Sequence, residues 1–477
     1  MDGWRVAAWL ALIAIAALAT RIVWLGDQAP DADEQLYSLI GERLLHGDLP
    51  YVHVWDRKPL GLFALFALAH ALGGPDAITY QVMAALFIVA GSWLVFALAR
   101  KLVDDATACG SALAYAPLMY AYGSLSGQSE TFFVPLLAGM ALLISGMRES
   151  RAWWRGAAAM LLGGLALQLK TTVVPQCLVL GMFSLLYLRS ISAWQMVLPA
   201  AGFALLGLLP TMAVAALYAS QGQFDWFWYA TVSSNVERVT AGGARLVAEH
   251  LGALAPLAAL ALGGLYAAWR LNPPRDPAFY RLVCWWTLGV LAGIYLPNKV
   301  NLYYFAALVP CVLLLAAPLI DRTSRLNWIP LAVLLGSAVL LLNIPRHSAE
   351  TRAGRAALTQ MVTAIAPHVA PEGPCLLVFD GPTALYRLTH SCLPSRIVYP
   401  DHWNNVMERN SLGVDRLAEL QRVLANRPGA IVTAVVPVAP QDADTVALVT
   451  TAIARDYRHA ASHIIRDRTY RVWVRRN

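Results

Sequence analysis

Charge is scarce in this chain. Asp, Glu, Lys and Arg make up 14% of its 477 residues against 58% hydrophobic residues, and mean hydropathy is +0.53. That balance excludes an ordinary soluble domain, in which about a quarter of the residues are charged. No low-complexity tract and no internal repeat is visible, which speaks against a transporter assembled from repeated halves. Cysteine is sparse, six in all, and no His/Cys spacing has the pattern of a structural zinc site. The net charge of +7 does not point to nucleic acid. Lys and Arg sit mostly at the ends of apolar runs, where cations orient a protein in a bilayer.

Those apolar runs are what the chain has in abundance. A segment of roughly 17–25 apolar residues crosses the hydrocarbon. About eleven qualify: 4–25, 77–99, 106–123, 129–147, 152–169, 172–188, 193–219, 246–269, 281–297, 303–320 and 327–344. Segment 60–74 is apolar but spans only about 22 Å as a helix, and reads as interfacial or re-entrant. The first run carries Ala17, Leu18 and Ala19, a small-residue pattern like that of a cleavable leader. Its length favours an uncleaved helix, and either reading puts the next loop outside. With 60–74 lying flat, Arg100, Lys101, Arg148, Arg151, Arg155, Arg189, Arg270, Arg275, Arg281, Arg322 and Arg325 all fall inside. With 60–74 spanning, nearly all fall outside.

The flat reading sends the remaining polar clusters to the extracytoplasmic face. The domain plan is a transmembrane domain over 1–345, with a first outer loop at 26–59, and a soluble tail over 346–477. In the tail, 348–367, 412–426 and 445–457 read as helices. Segments 375–379, 430–436 and 470–474 read as strands, being short and rich in β-branched or aromatic residues. This predicts an α/β domain facing outward. Cys375 and Cys392 lie in it, where an oxidising compartment permits a disulfide or two buried thiols. Cys109, Cys177, Cys284 and Cys311 lie in the spans as small apolar fillers.

Segment 31–59, DADEQLYSLIGERLLHGDLPYVHVWDRKP, packs acids, bases and aromatics between two apolar stretches. Charge beside a bilayer is costly and commonly marks function. A transferase using a lipid-linked sugar outside the cell would need a base for the acceptor hydroxyl, cations for the released phosphate and a path for the lipid. Asp33 is the candidate base, with Glu34 beside it and Asp31 as an alternative; the plain structural role for Asp33 is a helix N-cap. Lys58 is the candidate phosphate ligand, with snorkelling to headgroups as its bland alternative, and Arg57 shares the loop. Lys170 and Lys299 are further candidates that could equally be membrane anchors. Glu130 begins a span, as a cap or as a site residue. Tyr37, His53, Asn235, Arg238, Tyr303 and Tyr304 complete the candidate lining, with the two tyrosines also readable as belt aromatics. Glu237 sits in the same outer loop as Asn235 and Arg238. Asp33, Glu34 and His53 could form a loose site for a divalent metal ion, although their spacing is not diagnostic.

Five motifs occur in a familiar order. They are DEQLY at 33–37 with Gly47-Asp48, WDRKPLGLF at 55–63, SETFFVPLLAG at 129–139, GLALQLKTTVVP at 164–175 and NKVNLYYFAALVPCVLLLA at 298–316. In these the chain resembles the GT-C glycosyltransferases, in the branch of the protein O-mannosyltransferases and the lipid A aminoarabinose transferase. The resemblance covers most of the membrane domain. It implies a mainly α, polytopic GT-C fold and inverting transfer from a polyprenyl-phosphate sugar to an acceptor hydroxyl on a lipid, polysaccharide or protein. It implies a bacterial inner-membrane location with the active face in the periplasm. The family's catalytic Asp maps onto Asp33 and its phosphate-binding Lys onto Lys58. There are departures: Leu60 stands where the family has a second proline after Lys58-Pro59, and Thr171 where a glycine usually follows the lysine. Two other readings of the same spans are a lipid or polysaccharide flippase, and a non-catalytic envelope assembly protein with the tail as a binding module. A flippase would be expected to carry its ionisable groups near midplane, whereas here they gather at one face.

Overall fold

The computed structural model describes residues 3–28, 32–150, 152–188, 196–238, 244–295, 297 and 300–476. A helix occupies each of the eleven apolar runs, from Gly3–Ala19 to Ile329–Leu342. Among the described residues, eight helical segments are long and apolar enough to cross a membrane. The other three runs form shorter helices: Asp105–Ala121 with 17 residues, Trp153–Leu167 with 15 and Val174–Tyr187 with 14. The short apolar segment after Pro59 is the 14-residue helix Leu60–Gly73.

The chain forms two compact units. One comprises residues 1–22, 81–216 and 242–343, and its described elements are all helices. Its hub is the segment Leu302–Ile320, 89% of whose apolar window is buried. Helix Ala244–Arg270 packs against this hub at Gly264, where a Cβ would come within 2.1 Å of the Leu315 carbonyl oxygen. Only a residue without a side chain allows that approach. Helix Val197–Ser220 is the opposite case, with 6% of its window buried. A helix that is apolar all round and turned outward needs lipid to cover it. Arg21 is buried at the end of the first span, and its guanidinium donates to the carbonyl oxygens of Ser124 and Leu125. This satisfies donors that would otherwise be stranded in an apolar environment.

The second unit comprises residues 23–80, 217–241 and 344–477. Helices Ala32–Leu45 and Leu60–Gly73 pack together at Gly41, where a Cβ would meet the backbone nitrogen of Ala67 at 2.8 Å. Ser38 Oγ and His70 Nε2 lie 3.0 Å apart across the same contact. The tail carries a four-stranded sheet of β1 (Leu376–Val378), β2 (Ala430–Ala434), β3 (Tyr457–Ile465) and β4 (Arg468–Arg475), in the order β1-β2-β4-β3. β1 and β2 are parallel, with Leu377 opposite Ile431, and the other pairings are antiparallel, with Val432 opposite Val472. Helix Ile344–Ile365 packs on β3 and β4. Asp415 and Asp442 cap helices Arg416–Ala425 and Ala443–Asp456 by accepting the backbone N–H of Ala418 and Thr445.

The sequence anticipates three of these strands and misses β3. Seven of its nine residues, all but the two ends, are exposed or half-exposed, and it lies at a sheet edge. Its RHAASH stretch therefore carries no alternation of apolar and polar residues for the eye to find. Cys375 and Cys392 are joined in a disulfide, with their Cα atoms 4.9 Å apart.

Candidate active site

Asp33 lies in the first turn of helix Ala32–Leu45. It is therefore not the cap that the sequence suggested, because the helix already begins one residue before it. An acidic residue is still favoured there by the helix dipole. The two neighbouring carboxylates face different surroundings. Asp33 is half-buried, and its Oδ1 accepts a 2.7 Å hydrogen bond from the hydroxyl of Tyr399. Glu34 is fully buried and accepts a 3.4 Å hydrogen bond from Tyr80. Of the pair, Asp33 is the one that a substrate could reach.

The segment after this helix is folded tightly back. Tyr51 has φ of 71°, a left-handed conformation that a bulky residue rarely adopts. It is held there by a 2.8 Å hydrogen bond from its hydroxyl to the Lys58 carbonyl oxygen, and by the Tyr218 ring 5.3 Å away. This closure fixes Asp56, Arg57 and Lys58. The ammonium of Lys58 lies 5.9 Å from the centroid of the buried Tyr37 ring, which makes Tyr37 a wall of the Lys58 site. Burial raises the Asp56 carboxyl to about 6, against the opposing pull of Lys58 and Arg57. Asp33 adds to that rise, so the two carboxylates feel one another. His53 is exposed, and its Nδ1 accepts the backbone N–H of Leu49 at 2.8 Å. It closes a turn.

Arg57 is engaged by the tail. Its guanidinium grips both oxygens of Glu408, with Nη1 to Oε1 at 3.1 Å, and Nη2 also donates to Ser411 Oγ at 3.2 Å. Arg238 donates to the same Glu408 carboxylate. Burial would push Glu408 up, but the two guanidiniums outweigh it and hold the group well below the usual carboxylate range. His402 is buried beside them, and burial lowers its imidazole to about 3, so it is neutral. Asn235 donates to the Thr231 carbonyl oxygen at 3.0 Å within its own helical segment, and Glu237 accepts from Tyr229 at 2.6 Å.

The first unit holds a second cluster. Lys170 is 4% exposed and is ion-paired with Glu130, which is 1% exposed and also accepts from Ser129 Oγ at 2.9 Å. The ammonium lies 3.7 Å from the Tyr304 ring centroid and 5.1 Å from that of Tyr303. At this depth Lys170 does not reach out to headgroups as an anchor would. The two tyrosines face a cation rather than serving only as belt residues. Lys299 and Asp31 lie outside the described residues. Among the described residues no group of three His, Cys, Asp or Glu is placed to hold a metal ion, and Asp33, Glu34 and His53 do not form one.

Sequence reasoning missed the contributions of the tail: Tyr399, His402 and Glu408. Their signal was legible in form. YPDHWNNVMERN at 399–410 has the same density of aromatic and ionisable residues as the first outer loop. Within it His402, Trp403, Asn404, Asn405 and Glu408 are all buried.

Comparison with known proteins points the same way. Residues 57–217 match the family model described as dolichyl-phosphate-mannose-protein mannosyltransferase. A curated relative, the undecaprenyl phosphate-alpha-4-amino-4-deoxy-L-arabinose arabinosyl transferase 1 of Sodalis glossinidius (strain morsitans), is 27% identical over 339 residues, covering 65% of this chain. The chain spans 58% of that relative's length. ArnT from Cupriavidus metallidurans, solved in the apo state, superposes with a TM-score of 0.65 at 15% identity over 98% of each chain. The same enzyme bound to undecaprenyl phosphate gives 0.64 at 14% identity, also over 98% of each chain. The fold is that of the GT-C membrane glycosyltransferases. The apo oligosaccharyltransferase of Archaeoglobus fulgidus is a more distant example of the GT-C fold, with a TM-score of 0.51 at 13% identity over 91% of this chain and 70% of its own.

Proposed function

We propose that this protein is an inverting glycosyltransferase of the bacterial inner membrane, working at the periplasmic face with a polyprenyl-phosphate sugar as donor. Asp33 takes the proton of the acceptor hydroxyl. The acceptor oxygen bonds to the anomeric carbon, the bond from that carbon to the phosphate oxygen breaks, and the lipid phosphate leaves with the electron pair. Phosphate is already a good leaving group, so no second carboxylic acid is needed to protonate it, unlike in glycoside hydrolysis. Lys58 neutralises the phosphate. Arg57 is ion-paired with Glu408, and Lys58 shares its loop. The domain plan carries over in this reading: 1–345 supplies the membrane body and 346–477 the periplasmic tail.

The observation that carries the reading is the grouping of Asp33 with Asp56, Arg57 and Lys58. It supplies a reachable carboxylate and a cation, each of which acts on Asp56. The curated relative is named for an undecaprenyl-phosphate aminoarabinose, so that is the donor to try first. Purified protein given undecaprenyl-phosphate aminoarabinose and a lipid A acceptor should release undecaprenyl phosphate. Asp33→Asn keeps the side chain's size but removes the base, and should slow release about a hundredfold, the lower end of general-base effects. Release at the wild-type rate by Asp33→Asn would remove Asp33 from that role. A C-terminal alkaline phosphatase fusion should be active in cells, and an inactive one would overturn the orientation.

A further inference from the structure

The tail contributes a side chain to the proposed base. Tyr399 follows the buried pair Ile397 and Val398 and precedes the short helix Pro400–Asn404. Its ring stands edge-on to the His402 ring at 5.2 Å and 66°, and its carbonyl oxygen accepts the His402 N–H at 3.0 Å. The hydroxyl thus has little freedom, and it is placed 2.7 Å from Asp33 Oδ1. The residues lie 366 positions apart in sequence. Resting on the reading of Asp33 as base, we propose that Tyr399 is its positioning residue, fixing the plane of the carboxylate and holding it ionised.

The physical reason is direct. A carboxylate that accepts a hydrogen bond is stabilised in its charged form. Asp56 lies close enough for the two carboxylates to repel one another, and Glu34 is adjacent in sequence. The opposing cations, Lys58 and Arg57, are on the same loop as Asp56, and Arg57 is ion-paired with Glu408. Arg238 shares that same carboxylate, so one of the two guanidinium charges stays uncompensated there, and His402 is neutral. Whatever those charges supply, the Tyr399 hydroxyl adds a short, directed contact to one oxygen of the carboxylate.

The test uses the full-length protein in lipid nanodiscs and reads Asp33 without relying on turnover. Infrared titration reports protonated carboxyl groups, and the band that Asp33→Asn removes belongs to Asp33. Tyr399→Phe keeps the ring against His402 and removes only the hydroxyl, so the fold should survive. The Asp33 midpoint should rise by about one pH unit in this variant. With undecaprenyl-phosphate aminoarabinose as donor, the acid limb of kcat should move up by the same amount, and KM for the donor should stay unchanged. An unmoved infrared midpoint in a folded Tyr399→Phe variant would overturn the positioning role. If Asp33→Asn still turns over normally, the base assignment fails, while the infrared shift continues to decide the Tyr399 contact by itself.

Discussion

Glu408 and Arg57 form a two-pronged ion pair although they lie 351 positions apart in sequence. Glu408 is almost wholly buried and also takes Arg238, so one carboxylate in the tail holds two cations from separate loops. Breaking such a pair leaves an uncompensated charge in the interior, which typically costs about 3–5 kcal/mol. Glu408→Ala should therefore lower the melting temperature of the purified protein sharply. Glu408→Gln keeps hydrogen-bonding capacity and should cost less. Melting curves of the two variants within a degree of wild type would show that the pair contributes little.

The same cluster sets a pH dependence. His402 has a folded-state pKa of about 3 against an ordinary 6.5, so the unfolded chain binds its proton first as pH falls. Its contribution to stability is present above 6.5 and is lost as pH falls toward 3. Glu408 acts in the same direction, with stability present above its ordinary 4.5 and lost below it. Asp56 acts oppositely. Its raised pKa of about 6 means that the folded state gains its proton first, so it favours folding as pH falls from 6 toward 3.8. Wild type should thus lose stability slowly between pH 6.5 and 4.5, then steeply. His402→Asn should flatten the upper part of that curve. A parallel curve for wild type and variant would remove His402 as the cause.

In the helical unit, Glu130 and Lys170 make a prediction of the same kind with a different control. The pair is buried under Tyr304. Lys170→Met alone strands the carboxylate, and Glu130→Gln alone strands the ammonium. Each single change should destabilise by about 3 kcal/mol or more. The double variant leaves no charge and should recover part of the loss. Thermal melts of all four proteins in one detergent give the coupling directly. Additive losses would mean that the two groups do not interact.

Legibility followed the physics of each region. The spans were readable because hydrocarbon demands long apolar helices, and every apolar run became a helix. Asp33 and Lys58 stand out as candidates because charge is conspicuous against an apolar background. Lys170 was readable too, but its buried pairing was not, since Glu130 belongs to a different helix. The cap assigned to Asp33 failed because a helix start can shift by a residue without changing composition. Tyr399, His402 and Glu408 were overlooked because a polar stretch in a soluble-looking domain is unremarkable until a distant loop packs on it. No local pattern encodes a contact between residues 33 and 399. The edge strand β3 was missed for want of alternation, while β4 beside it alternates with Tyr470, Val472 and Val474 buried.

Lys58 gives the last prediction, and its local structure makes the variant interpretable. Its side chain touches the Tyr37 ring, while its backbone carbonyl closes the loop through Tyr51. Truncation therefore removes the cation and leaves the closing hydrogen bond in place, so Lys58→Ala should keep its fold, with a lower melting temperature because Lys58 also countercharges the buried Asp56. Loss of the countercharge should raise KM for a polyprenyl-phosphate donor and lower kcat, because negative charge grows on the phosphate as the bond to the sugar breaks. A fall of about tenfold or more in kcat/KM is expected for one charge-assisted contact of about 1.5–3 kcal/mol. Lys58→Arg should restore part of it, since charge persists while a planar guanidinium replaces a compact ammonium. Steady-state kinetics with an undecaprenyl-phosphate sugar separate the cases. If the alanine variant uses the donor as well as wild type does, the phosphate is held elsewhere, and Lys170 becomes the next cation to test.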